Sequence, residues 1–240
     1  MPNNISRSFL ACLALTVVAL GLFVALARAV SEPANAIINF DNDKARSLRD
    51  YQVMAPALTS FFSVFTELGS KQFMFGLMGV VGLVLAWRKQ PMFAAMLFIA
   101  LVGGCGANEI LKSIVQRPRP LMQPISSFSF PSGHTTGAMI CYGLLAYLVL
   151  VQLESRWLAR SAAAALVTLA LLIGYSRVYL TVHYVSDVLG SFLLSVAWLA
   201  LAIPALEVIR RRSPLREREE RPSWEMAGDR RGFHGSRPLY

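Results

Sequence analysis

Charge is scarce over most of this 240-residue chain. Residues 1–207 hold 23 of the 37 Asp, Glu, Lys and Arg residues, about 11% of positions, against about a quarter in ordinary soluble domains. That scarcity excludes a soluble globule over this stretch. An apolar content of 55% and a mean hydropathy of +0.50 exclude a disordered polymer as well. Cysteine is also sparse. Cys12, Cys105 and Cys141 each sit inside an apolar run, without CxxC spacing, and read as small buried hydrophobes rather than metal ligands or a disulfide framework. No repeat of fixed period is evident. Histidine is limited to three positions, so the place of each carries weight.

What the chain does contain is apolar length. Stretches free of Asp, Glu, Lys and Arg run over 8–27, 51–66, 72–87, 90–108, 135–153, 161–176 and 188–206. Six are continuously apolar and close to the roughly 20 residues that a membrane span needs. The exception, 51–66, contains Pro56 and several hydroxyl residues and follows the charged run 41–50. Residues 40–66 are therefore expected to form helical segments lying on or dipping into the interface. Arg7, an apolar run and Ala27-Arg28-Ala29 resemble a signal peptide, but the run of 20 exceeds the usual ~7–15 residues, so it reads as an uncleaved first span. The expectation is an all-α, polytopic bundle of six transmembrane helices over 1–207, followed by a basic tail over 208–240. The tail reads as disordered, with a short helix near 214–221.

The net charge of +9 follows the same geography. With six spans, one side of the membrane receives 14 basic residues, including the nine tail Arg, and the other receives nine. The positive-inside rule then puts both termini in the cytoplasm. Basic residues flanking apolar segments orient a membrane protein and touch headgroups, so no nucleic-acid partner is expected.

Polar residues at the span ends converge. Lys112 ends the third span, Arg119 follows it, Ser132-Gly133-His134 open the fourth, Arg177 ends the fifth, and His183 and Asp187 open the sixth. In a six-span layout all face one side, predicted to be non-cytoplasmic. Lys112, Arg119 and Arg177 are three cations without a matching acidic cluster, so an anion is expected between them. The Arg fork matches phosphate oxygens. Ser132 and Gly133 stand at a predicted helix N-terminus, where free N–H groups favour an anion. His183 and Asp187, four residues apart, share a helical face. The carboxylate would fix the imidazole tautomer and free the other nitrogen as nucleophile or base. His134 comes from another segment and suits proton donation; His234 lies in the tail as a bystander.

These residues resemble the type 2 phosphatidic acid phosphatase and haloperoxidase superfamily. Its three-part pattern, K-x6-RP, PSGH and SR-x5-H-x3-D, reads here as Lys112–Pro120, Pro131–His134 and Ser176–Asp187, complete and in order. The spans and the short 121–130 connection fit the integral membrane lipid phosphatase branch rather than the soluble haloperoxidases. The resemblance implies that His183 attacks phosphorus to form a phosphohistidine, that Asp187 orients it, and that His134 protonates the leaving oxygen and then activates water. It implies phosphate binding by Lys112, Arg119, Ser132, Gly133 and Arg177, with no metal and no cofactor. The substrate would be a lipid phosphate, phosphatidate-like or undecaprenyl pyrophosphate, in the bacterial plasma membrane. A phosphotransferase and a non-catalytic transporter are the alternatives.

Several neighbouring residues have simpler readings. Lys112, Arg119 and Arg177 taken singly are headgroup anchors, His134 and His183 helix-end caps, and Asp187 a partner for Arg177. Arg117, outside the pattern, is a headgroup contact or a solvated charge. Asn108 and Glu109 pair locally with Lys112 and position it. Tyr175, Tyr179 and Tyr184 read as aromatic-belt residues or substrate packing. Gly103, Gly104, Gly106 and Ala107 suggest close helix packing.

Overall fold

A computed structural model of the chain describes residues 3–32, 35–120 and 127–211. The tail beyond Arg211 and most of the 121–130 connection lie outside the described residues, as do the expectations placed on them. Among the described residues eight helices follow one another: α1 (Asn3–Ser31), α2 (Ala36–Met54), α3 (Pro56–Phe65), α4 (Lys71–Trp87), α5 (Pro91–Val115), α6 (Gly133–Gln152), α7 (Arg156–Tyr179) and α8 (Val185–Arg211), with a 3-10 turn over Thr66–Gly69 before α4. No strand occurs among the described residues.

Local chemistry sets the boundaries. Asn35, Ser70 and Ser155 cap α2, α4 and α7, their side-chain oxygens accepting from the N–H of Ile38, Phe73 and Leu158. Pro56 and Pro91 stand in the first turns of α3 and α5, where the missing N–H costs nothing. Gln116, left-handed at φ 51°, ends α5 and turns the chain toward the bundle. Helix α8 runs on to Arg211, so the expected boundary at 207 falls inside it.

Among the described residues five helices are long and apolar enough to cross a membrane: α1, α5, α6, α7 and α8. Helix α4 has 17 residues, or ~26 Å at 1.5 Å per residue, short of a ~30 Å hydrocarbon core. Together with Pro56–Gly69, from which it is bent by 47°, it has the length and apolar character of a broken span or a re-entrant loop. The segment 51–66 is helical as expected, and its second half leads into α4. The chain is an integral membrane protein.

Helix α6 is the centre of the bundle, packing against α4, α5, α7 and α8. Its Ile140 and Leu144 meet Met74, Leu97, Leu101 and Ile173 in the main core. Helix α1 lies along α8, closing a second cluster with Phe23 and Phe130, whose ring centroids are 5.5 Å apart. The small residues of α5 do serve packing. A Cβ on Gly103 would sit 2.8 Å from the Trp198 ring, and Trp198 Nε1 donates to Ala100 O at 2.8 Å. Gly106 departs from that expectation, since it faces open space. Cys12 and Cys105 are half-buried and Cys141 is buried, all as free thiols.

Candidate active site

Several chain segments meet at one end of the bundle: the last turn of α5, residues 116–120 and 127–132 that follow it, the first turn of α6, the last turn of α7, the 180–184 connection, and the first turn of α8. All eight residues singled out from the sequence lie there. His183 sits on the 180–184 connection, 3% exposed. Its Nδ1 is 3.4 Å from Asp187 Oδ2, the i,i+4 relation expected from the spacing. Its Nε2 is 3.3 Å from Arg119 Nη1. Nδ1 faces an acceptor and Nε2 faces a donor, so both partners are satisfied when the proton is on Nδ1 and the Nε2 lone pair points at Arg119. Burial drives the His183 imidazole down to about 4; Asp187 pulls the other way, and Arg119 and Arg177 reinforce the drop. The ring is neutral at neutral pH.

Asp187 is fully buried and receives donors from several directions. Oδ1 accepts from Arg117 Nη1 at 2.7 Å; Oδ2 accepts from Tyr184 N at 2.8 Å and from Ser129 Oγ. These bonds are charge-assisted and hold the carboxylate in one orientation.

The cations line the same space. Lys112 is buried at the end of α5 and has no hydrogen-bond partner among the described residues. A Cβ on Gly133 would stand 3.6 Å from Lys112 Nζ and 3.5 Å from Asn108 Nδ2, so glycine leaves open the gap between the ammonium and the start of α6. Arg119 donates from Nη1 to Val182 O at 2.9 Å and from Nη2 to Ser127 Oγ at 2.8 Å; burial lowers its pKa. Arg177 Nη1 donates to Thr66 Oγ1 at 2.9 Å, while its buried Nε has no partner. His134, second in α6, also lacks a hydrogen-bond partner among the described residues and lies within electrostatic reach of Arg177, His183, Lys112 and Arg119. The cap position of α6 belongs to Ser132, so His134 is not a cap. The Ser132 N–H is directed at Asp187 O, 3.4 Å away, and is not free as expected; the next N–H groups, of Gly133 and His134, have no i−4 carbonyl within the helix.

A group of cations around a neutral imidazole has the chemistry of an anion site. Arg forks and first-turn N–H groups are donors of the kind that phosphoryl oxygens accept from, and an imidazole protonated on Nδ1 keeps a lone pair on Nε2. Among the described residues no three His, Cys, Asp or Glu side chains group as metal ligands would.

Several expectations are corrected. Arg117 is neither solvated nor at a headgroup. It is buried, bonded to Asp187, to Asp41 Oδ2 at 2.8 Å and to Ser186 Oγ at 2.6 Å, with the Tyr184 ring 4.1 Å from its guanidinium carbon. Asp187 pairs with Arg117, not Arg177. Glu109 forms its ion pair with Lys71 at 2.8 Å rather than with Lys112, and Asn108 accepts from Thr136 Oγ1 at 2.8 Å. Tyr179 is buried against Phe62, centroids 4.8 Å apart, rather than in an aromatic belt, and Tyr184 covers Arg117. Asp41, Ser129, Ser186 and Thr66 were missed. Arg117 carried a weak signal, its closeness to Arg119 in Arg117-Pro118-Arg119-Pro120; Asp41 carried none, lying 146 positions from Asp187.

Fold and site together define an integral membrane protein with a buried His–Asp pair beside a group of cations. The chain belongs to the PAP2 superfamily, whose model matches residues 91–211 and so contains all eight site positions. It is 31% identical over 160 residues to phosphatidylglycerophosphatase B of Bacillus subtilis (strain 168), covering 64% of this chain and 78% of that one. It is 30% identical over 117 residues to undecaprenyl-diphosphatase BcrC of the same organism, covering 45% of this chain and 54% of that one. The crystal structure of a transmembrane PAP2-type phosphatidylglycerolphosphate phosphatase from Bacillus subtilis superposes with a TM-score of 0.74 at 30% identity, over 82% of this chain and 98% of that chain.

Proposed function

We propose that this protein is a membrane lipid phosphatase that hydrolyses a lipid phosphate through a phosphohistidine on His183. The observation that carries this reading is the His183 geometry, with Nδ1 on Asp187 and Nε2 turned to the cation-lined space. In the first step Nε2 attacks phosphorus, the phosphorus–oxygen bond to the lipid breaks, and the leaving oxygen takes a proton from His134. In the second, His134 takes a proton from water, the water oxygen attacks phosphorus, and the phosphorus–nitrogen bond breaks, releasing phosphate and free His183. Lys112, Arg119, Arg177 and the start of α6 at Ser132 and Gly133 hold the phosphoryl oxygens throughout. Asp187 stabilises the imidazole while it carries the phosphoryl group.

The relatives support a lipid phosphate as the substrate class. Similarity to phosphatidylglycerophosphatase B over more of the chain favours phosphatidylglycerophosphate, and similarity to undecaprenyl-diphosphatase BcrC supports undecaprenyl pyrophosphate as the second reading. The catalytic domain, expected over 1–207, extends to the end of α8 at Arg211, with the remainder as a cytoplasmic tail and the site on the outer face of a bacterial plasma membrane. A panel of purified lipid phosphates, assayed for phosphate released into water, tests the proposal. Release from phosphatidylglycerophosphate by the native chain and none by His183→Ala is expected. Transfer of phosphate to a second lipid without release would make the protein a phosphotransferase, and full activity of His183→Ala would end the phosphohistidine mechanism.

A further inference from the structure

Arg117 lies between two carboxylates in the interior of the site end. Its side chain is 5% exposed, and those of Asp41 and Asp187 are wholly buried. Asp41 comes from α2, outside the region that the family model covers, and reaches the first turn of α8. There it also accepts from Ser186 N at 3.2 Å and from Ser186 Oγ. Ser186 Oγ is shared, since Arg117 Nη1 donates to it as well. The ring of Tyr184 covers the guanidinium, and the Tyr184 hydroxyl reaches Asn42 Oδ1, also on α2, at 3.3 Å. Helix α2 is thereby fastened to both residues flanking Val185, at the junction of the His183 connection and α8.

A buried triad of this kind adds little net stability, because desolvation offsets much of the attraction. What it supplies is orientation. Arg117 occupies Asp187 Oδ1, which leaves Oδ2 for Ser129, Tyr184 N and His183 Nδ1. A carboxylate held at one oxygen cannot rotate its other oxygen away from the imidazole. Arg117 in turn has a planar fork whose second nitrogen is held by Asp41, so the chain of constraint runs Asp41, Arg117, Asp187, His183. Neither Asp41 nor Arg117 touches the cation-lined space.

We propose that Arg117 and Asp41 are positioning residues that set the geometry of His183 through Asp187, which makes the interfacial helix α2 part of the catalytic apparatus. The inference rests on the phosphohistidine reading above. The test uses the full chain in detergent with phosphatidylglycerophosphate in mixed micelles, comparing Arg117→Met, Arg117→Lys, Asp41→Asn and Ser186→Ala with the native chain and His183→Ala. Because the phosphate ligands are untouched, kcat should fall while KM stays within about threefold. The expected losses in kcat are about 100-fold for Arg117→Met and about tenfold for Asp41→Asn. Arg117→Lys should fall between these, keeping the charge and losing the fork. Ser186→Ala, a small deletion, keeps the test open if an Arg117 variant does not fold; a several-fold loss of kcat at an unchanged melting temperature is expected. Native kcat in both Asp41→Asn and Ser186→Ala would overturn the proposal, as would losses that merely track melting temperature or a parallel rise in KM. An active His183→Ala would instead remove the functional reading beneath it, so the two failures are distinguishable.

Discussion

Replacing Asp187 by Asn is the sharpest perturbation the site offers. The carboxylate faces four donors: Arg117 Nη1 at 2.7 Å on Oδ1, and Tyr184 N at 2.8 Å, Ser129 Oγ and His183 Nδ1 at 3.4 Å on Oδ2. Asparagine has the same shape, but one of its two positions becomes an NH2 group, and either placement sets donor against donor. Because asparagine is neutral, either placement breaks the buried ion pair with Arg117, at about 3–5 kcal/mol when no partner remains, and with NH2 toward Arg117 two donors also face each other. Arg117 keeps Asp41, so the lower end of that range applies here. With NH2 toward His183, the Tyr184 N–H is opposed and the imidazole is driven to carry its proton on Nε2. That removes the lone pair facing Arg119. Loss of the correct tautomer costs about 10⁴-fold in kcat at a Ser-His-Asp triad, or ~5.5 kcal/mol of barrier. The expected result for Asp187→Asn is therefore a fall of about 10³–10⁴-fold in kcat with a folded protein and a modestly lowered melting temperature. Single-turnover phosphate release, normalised to monodisperse protein on gel filtration, measures it. A folded variant retaining more than about a tenth of native kcat would show that Asp187 does not set the imidazole.

Three further outcomes are expected. Burial holds His183 near 4, below its ordinary 6.5, against the opposing pull of Asp187 and with Arg119 and Arg177 adding to the drop, so the ring should stay neutral at pH 5.5 by imidazole nitrogen NMR; titration near 6.5 would contradict the buried geometry. The sign for stability follows: the unfolded chain binds more protons between about 4 and 6.5, so this contribution is complete above 6.5 and is lost as pH falls through that window. Phosphate release should survive EDTA and be inhibited by vanadate, since basic side chains and helix N–H groups neutralise the phosphoryl group; loss with EDTA and rescue by magnesium would refute a metal-free site. For sidedness, with Cys12, Cys105 and Cys141 removed, a cysteine at the exposed Ser127 should react with an impermeant maleimide on intact cells, and one at Ser223 after lysis alone; the reverse pattern would move the site to the cytoplasmic face.

What the sequence disclosed and what it withheld divide along one physical line. The spans were legible because lipid penalises charge along a continuous stretch, and the site residues because each sits at a span end in a short, ordered pattern. Those signals are local. The His183–Asp187 contact needs only one helical turn, and the structure has it. The Arg117 network needs α2 to fold back onto α8, so Asp41 meets Ser186 across 145 positions, and no spacing encodes that. The bend before α4 escaped for a related reason. Pro56 and the hydroxyl residues of 51–66 mark a break in the apolar pattern, but Ser70 restarts a helix after one 3-10 turn, so that segment and α4 together form one bent helical pair. Glu109 is the same case in miniature: on α5 alone its neighbour is Lys112, and only the antiparallel packing of α4 brings Lys71 closer. That exchange has a consequence at the site. With Glu109 committed to Lys71, the buried Lys112 has no hydrogen-bonding acidic partner among the described residues, so its ammonium remains directed to the gap beside Gly133, where a phosphoryl oxygen would replace the water it has lost.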